Sequence, residues 1–138
     1  MKKLISERTA LYGLLAILSL FVILHLLILF RILPYDLVWG GRTAGFTEVA
    51  VLEVIALLIN LLMLGVVAVR AGIVQLPAGP IFLKIVFWVM FLFFLLNTVG
   101  NLVSNNRLEQ LVFAPLTLLL ALFCLRLAGT TAIASKIK

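Results

Sequence analysis

The sequence predicts an all-α integral membrane protein, with four transmembrane helices in an antiparallel up-down bundle and both termini cytoplasmic. Three observations predict it. Of 138 residues, 65% are hydrophobic and only 12% are charged, whereas a soluble domain is about 45–50% apolar and about 25% charged. The apolar residues fall into four runs, each near the roughly 20 residues that carry a helix across a bilayer core of about 30 Å. The basic residues flank these runs with a consistent bias in side.

The first run covers about 9–32 and is broken only by His25. It follows MKK, as a signal peptide would, but exceeds the usual apolar length of about 7–15 residues and meets no small-x-small cleavage pattern. A retained first helix is therefore expected. The second run, about 46–69, contains Glu48, Glu53 and Asn60. The third, about 82–103, starts with Lys84 and carries Asn97 and Asn101 near its end. The fourth, about 111–129, has Pro115 early and Arg126 late. Helix is required in each, because an isolated strand in lipid leaves its backbone groups unsatisfied. The whole chain, 1–138, reads as one domain.

With the N-terminus in the cytoplasm, Lys2, Lys3, Arg8, Arg70, Lys84, Arg126, Lys136 and Lys138 lie inside, and only Arg31, Arg42 and Arg107 lie outside. Lys and Arg retained on the cytoplasmic side set topology, so a plasma or inner membrane location with both ends inside is expected. The net charge of +6 is explained by this scatter, and no nucleic-acid partner is expected. A lone cysteine, Cys124, excludes an internal disulfide and a CxxC relay, and reads as a small buried hydrophobe.

Glu53 is the most informative residue. A carboxylate in mid-span costs roughly 2.5–3.5 kcal/mol on insertion scales, so it is expected to face a partner or a wet cavity. At 1.5 Å per residue, His25, Glu53 and Asn97 each fall about 10 Å below the outer boundary, and can share one layer. Asn101, Glu48, Glu109 and Gln110 would form a layer above. Glu53, Ala56 and Asn60 share one helical stripe, as do Asn97 and Asn101. Polar residues in membrane helices turn inward to bond across helices. The expected result is a polar vestibule open to the outer face, with Glu53, His25, Asn97, Asn101, Asn60 and Glu48 as ligand-binding residues. The inner half seals it with apolar side chains.

The first outer connection, RILPYDLVWGGRTAG, is the one rich in specific chemistry. Pro34 stops the first helix, and Tyr35 and Trp39 anchor at headgroup level. Asp36 pairs with Arg42, or Arg42 with Glu48. The segment is expected to lie over the vestibule as a lid, with Tyr35, Asp36, Trp39 and Arg42 as its working residues. The second connection, AGIVQLPAGP, reads as a tight inner turn. The Phe-rich run VFWVMFLFFLL reads as lipid contact and packing, with Trp88, too deep for an interfacial belt, a candidate to line the core. Asn105-Asn106 reads as a turn.

No G-x-S-x-G, H-E-x-x-H, P-loop or Rossmann pattern is present. One histidine and a carboxylate are too few for zinc, so no metal or cofactor is expected and no catalytic residue is assigned. In size and helix number the chain resembles the small multidrug transporters, but those carry their key glutamate in the first helix, where this chain has His25. In architecture it resembles the sterol-isomerase-like four-helix proteins, whose sites combine acidic residues, aromatics and a histidine. Both are likenesses of shape, and no residue role is carried over.

Three functions follow. The first is binding or transport of a small molecule or lipid through the vestibule, with a homodimer enlarging a narrow four-helix cavity. The second is an accessory or assembly role, in which the outer connection docks a larger membrane-protein partner. The third is acid–base chemistry on a lipid by Glu53 and His25.

Overall fold

The computed structural model describes residues 4–38 and 45–130. Within them the elements are α1 (Glu7–Leu29), a 3-10 turn (Tyr35–Leu37), α2 (Phe46–Arg70), α3 (Pro80–Leu102), a π turn (Glu109–Phe113) and α4 (Ala114–Ala128). Four helical segments are long and apolar enough to cross a membrane: Glu7–Leu29, Phe46–Arg70, Pro80–Leu102 and Glu109–Ala128.

Local chemistry sets the helix ends. The Ser6 hydroxyl accepts from the Thr9 amide at 3.0 Å, capping one of the free N–H groups that open α1. This cap starts the helix ahead of residue 9. At the other end α1 stops at Leu29, before Pro34 is reached. Arg31 turns into the left-handed region at φ 58°, and the Ile32 and Leu33 amides return to the Leu27 carbonyl. The end of α2 has the same form, with Gly72 at φ 80° and Ile73 bonding back to Ala68. Glycine suits that position because it has no Cβ to clash. Arg31 is held there by its guanidinium, which lies 3.9 Å over the Phe46 ring.

Gly79 and Pro80 open α3, with proline at a position where no N–H is needed. The last helix starts at the Asn105-Asn106 turn, where the Asn106 side chain accepts from the Leu108 amide at 2.9 Å. Its first turns widen into the π turn just ahead of Pro115. Proline lacks the N–H that would bond the Leu111 carbonyl and crowds the preceding turn, and a π turn accommodates both.

Side-chain contacts pair the start of α1 with the end of α2, and the end of α3 with the start of the last helix. Glu7 meets Arg70, Leu18 meets Asn60 and His25 meets Glu53 across α1 and α2. Thr98 meets Thr117 and Ser104 meets Glu109 across α3 and the last helix. Arg126 Nε donates to the Ile5 carbonyl at 2.8 Å, joining the end of α4 to the start of α1.

α4 is the central helix. In its membrane-length segment 44% of the residues are buried, against 22% in each of the others. α1 packs on α2 and α4, and α3 packs on α4, whereas α2 and α3 barely touch. A main apolar core joins Ala10, Leu14 and Leu18 to Val67, Phe87, Leu120, Cys124 and Leu127. A smaller cluster of Ile28, Val38 and Val49 sits beneath the α1–α2 connection. Cys124 is fully buried. Trp88 is 42% exposed and packs edge-on against Phe91 at 5.7 Å, so it belongs to the outer surface rather than the core. Phe87 and Met90, on a different face of α3, take the inward positions instead.

Candidate functional site: a polar-walled cavity between α2 and α3

Because α2 and α3 stand apart, a cavity of about 570 Å³ opens between them. It occupies the half of the bundle nearest the α1–α2 connection, with the main apolar core filling the other half. Its volume lies within the roughly 300–1,000 Å³ typical of small-molecule sites. Phe21, Leu24, Ile59, Met63, Phe93, Phe94 and Phe113 give it an apolar body. Polar side chains arrive from every helix: His25 from α1, Glu53 and Asn60 from α2, Asn97, Asn101 and Ser104 from α3 and its end, and Glu109 and Thr117 from the last helix.

Glu53 is 1% exposed, and its Oε2 lies 2.5 Å from His25 Nδ1. An ionised carboxylate only accepts, so in that state Nδ1–H is the donor. If the proton moves to the carboxyl, Nδ1 becomes the acceptor. The pair can therefore exchange one proton without moving heavy atoms. A helical stripe puts both Glu53 and Asn60 on the buried side of α2. Two turns from Glu53, Asn60 Nδ2 donates to the Leu18 carbonyl at 3.0 Å.

On the opposite wall, the Ser104 hydroxyl donates to Glu109 Oε2. Gln110 Nε2 donates to the Ser104 carbonyl at 2.5 Å, which holds the end of α3 against the π turn. Below them the Thr98 and Thr117 hydroxyls are 2.9 Å apart, and Asn101 Nδ2 reaches Thr117 at 3.5 Å. Among the described residues, no three His, Cys, Asp or Glu side chains gather as metal ligands.

Of the ligand-binding residues read from the sequence, Glu53, His25, Asn97, Asn101 and Asn60 line this one cavity. Asn97 sits on its exposed margin, and its amide donates to the Phe93 carbonyl of its own helix at 3.0 Å. Glu48 does not line it. This residue is exposed in the first turn of α2, where the helix dipole favours a negative charge.

Part of the α1–α2 connection lies within the described residues. Tyr35 packs edge-on against Phe46 at 6.2 Å, and Val38 is buried in the cavity wall. Asn106 Nδ2 donates to the Asp36 carbonyl at 3.4 Å, tying the connection to the start of the last helix. Trp39 and Arg42, with the expected pairings of Arg42 to Asp36 or Glu48, lie outside the described residues.

Ser104 and Thr117 are not singled out in the sequence, and Glu109 is placed there in the upper polar layer without being named among the ligand-binding residues; all three line the cavity. The available signal was Pro115 a few residues on, since a proline there favours a widened turn and π turns recur at functional sites.

Four apolar spans around a cavity walled by ionisable and amide side chains define the class: a small, all-helical, multi-pass membrane protein. No protein-family model matches the chain, and no curated protein or solved structure matches it either.

Proposed function

We propose that this protein binds a small molecule or lipid in the cavity between α2 and α3, as a carrier or transporter. The observation that carries the reading is the His25–Glu53 pair at the cavity wall. A buried ionisable pair in a membrane span is costly to keep, and such residues face substrate or proton pathways. A pocket with an apolar body and a few convergent polar groups is the usual form of a small-molecule site.

The pairing of helix starts with helix ends supports an up-down antiparallel bundle across a plasma or inner membrane. The charge bias supports placing both termini in the cytoplasm, which opens the cavity in the outer half. A homodimer would close the α2–α3 gap against a second copy.

The test is native mass spectrometry of the detergent-purified protein, wild type beside Glu53→Gln. A small molecule or lipid retained by the wild type and lost in the variant is the expected result. Clean spectra for both, with a co-purifying membrane protein, would replace this reading with the accessory role. A retained lipid whose mass changes on incubation would move it to acid–base chemistry by Glu53 and His25.

A further inference from the structure

Resting on the cavity reading, we infer that the ligand is a single-chain amphiphile with a hydrogen-bond-donating head, and that it enters sideways from the bilayer between α2 and α3. The gap between these helices is the basis for the route. Ile55 on α2 and Phe93, Asn97 and Gly100 on α3 both line the cavity and are exposed, so the opening lies on the flank of the bundle. A flank made of membrane-length helices faces acyl chains, not water.

The distribution of lining chemistry names the ligand class. The ionisable groups gather toward the α1–α2 connection, at His25, Glu53 and Glu109. Ile59, Met63 and Phe94 continue the cavity toward the apolar core, where the lining Asn60 amide is committed to the Leu18 carbonyl. Glu53 is paired with His25, and Glu109 accepts from Ser104. Each carboxylate has about four acceptor sites, so a head that donates, such as a hydroxyl or an amine, adds to these bonds where an accepting head would compete with them. The apolar body takes the chain. A wholly polar solute would leave that body unfilled. A wholly apolar one would bury the polar groups without new partners, at a cost in affinity.

Gly100 provides a way to shut the entrance. A Cβ built there meets nothing within 4 Å, so the first atom of a side chain is accommodated at the cavity margin. The experiment uses purified protein in non-ionic detergent micelles and radiolabelled monooleoylglycerol. Binding is measured for the wild type, Gly100→Trp and, on the facing margin, Ile55→Trp, with unlabelled glycerol and oleic acid as competitors. We expect saturable binding to the wild type, at least ten-fold weaker binding to either tryptophan variant at unchanged melting temperature, and no competition by glycerol. Unchanged binding in folded variants overturns the lateral entrance, and competition by glycerol at equal concentration overturns the amphiphile. Oleic acid competing better than unlabelled monooleoylglycerol overturns the donating head. If a variant does not fold, the other and the wild-type competition decide. If the probe fails to bind while native spectra still show a retained polar solute, this inference falls and the cavity reading stands. If neither is bound, both fall.

Discussion

His25 on α1 and Glu53 on α2 meet at 2.5 Å across 28 positions of sequence, and they do so where α1 and α2 form one wall of the cavity. This pair both joins two helices and presents an exchangeable proton to the enclosed space. Removing either partner has a different consequence, which gives the first prediction.

His25→Ala leaves a carboxylate in a span with one hydrogen bond lost. Breaking a buried pair from one side typically costs about 3–5 kcal/mol, and the residual exposure of His25, at 18%, puts the expectation at or below the low end. Glu53→Gln keeps a neutral hydrogen-bonding group and should cost less, about 1–2 kcal/mol. The double variant should lose less than the two added together, because the residues share one interaction. Unfolding in a denaturing detergent series measures all three.

Asn60 and Asn97 look alike in the sequence but differ in partners. Asn60 bonds across to Leu18, while Asn97 bonds within its own helix. Hydrogen bonds between membrane helices average about 0.6 kcal/mol and reach about 1.7. Asn60→Ala is therefore expected to destabilise by about 1 kcal/mol and Asn97→Ala by less than half of that in the same unfolding assay. Equal losses would contradict the assigned partners.

Gly13 is a packing residue. A Cβ there would overlap the ring of Phe123 on α4, which is itself buried. Overpacking of this kind typically costs about 1–3 kcal/mol, so Gly13→Ala should lower the melting temperature. Gly65→Ala meets open space and should raise it slightly, since alanine is about 1 kcal/mol better than glycine inside a helix.

Glu7 and Arg70 pair at the other end of α1 and α2, with Arg70 the more buried at 8% side-chain exposure. Glu7→Gln leaves that guanidinium without its counter-charge. It should destabilise more than Arg70→Met, which removes the buried charge and retains an unbranched apolar chain. Thermal unfolding of the two variants orders them directly, and the reverse order would show that the pair is not buried in solution.

The proposed topology is checked by reporters at the C-terminus. A fluorescent protein that matures only in the cytoplasm should be bright there, and alkaline phosphatase, which needs export, should be inactive. Moving the same reporters into the α1–α2 connection should invert both signals.

Several features were legible before any coordinates. The four spans followed from run length, because a segment in lipid must satisfy its own backbone hydrogen bonds and helix does so locally. Glu53 and Asn60 fell on one stripe because their spacing of seven is nearly two helical turns. Helix ends were harder to read. The capping hydroxyl of Ser6 starts α1 ahead of the apolar run, and the left-handed Arg31 ends it short of the run's far end, since capping depends on single side-chain contacts and not on hydropathy.

By itself the sequence determined what could cross a bilayer and which side chains would resist lipid, because both depend on residue chemistry within one helix. Only the tertiary structure decided that α4 is central, that α2 and α3 part to leave a cavity, that Asn97 lies on its margin, and that Glu109 faces Glu53's enclosure from another wall. Between helices in lipid there is no hydrophobic force to choose neighbours. Side-chain fit and a few hydrogen bonds, such as Ser104 to Glu109 and Asn60 to Leu18, choose them instead, and those contacts join residues that no local pattern relates.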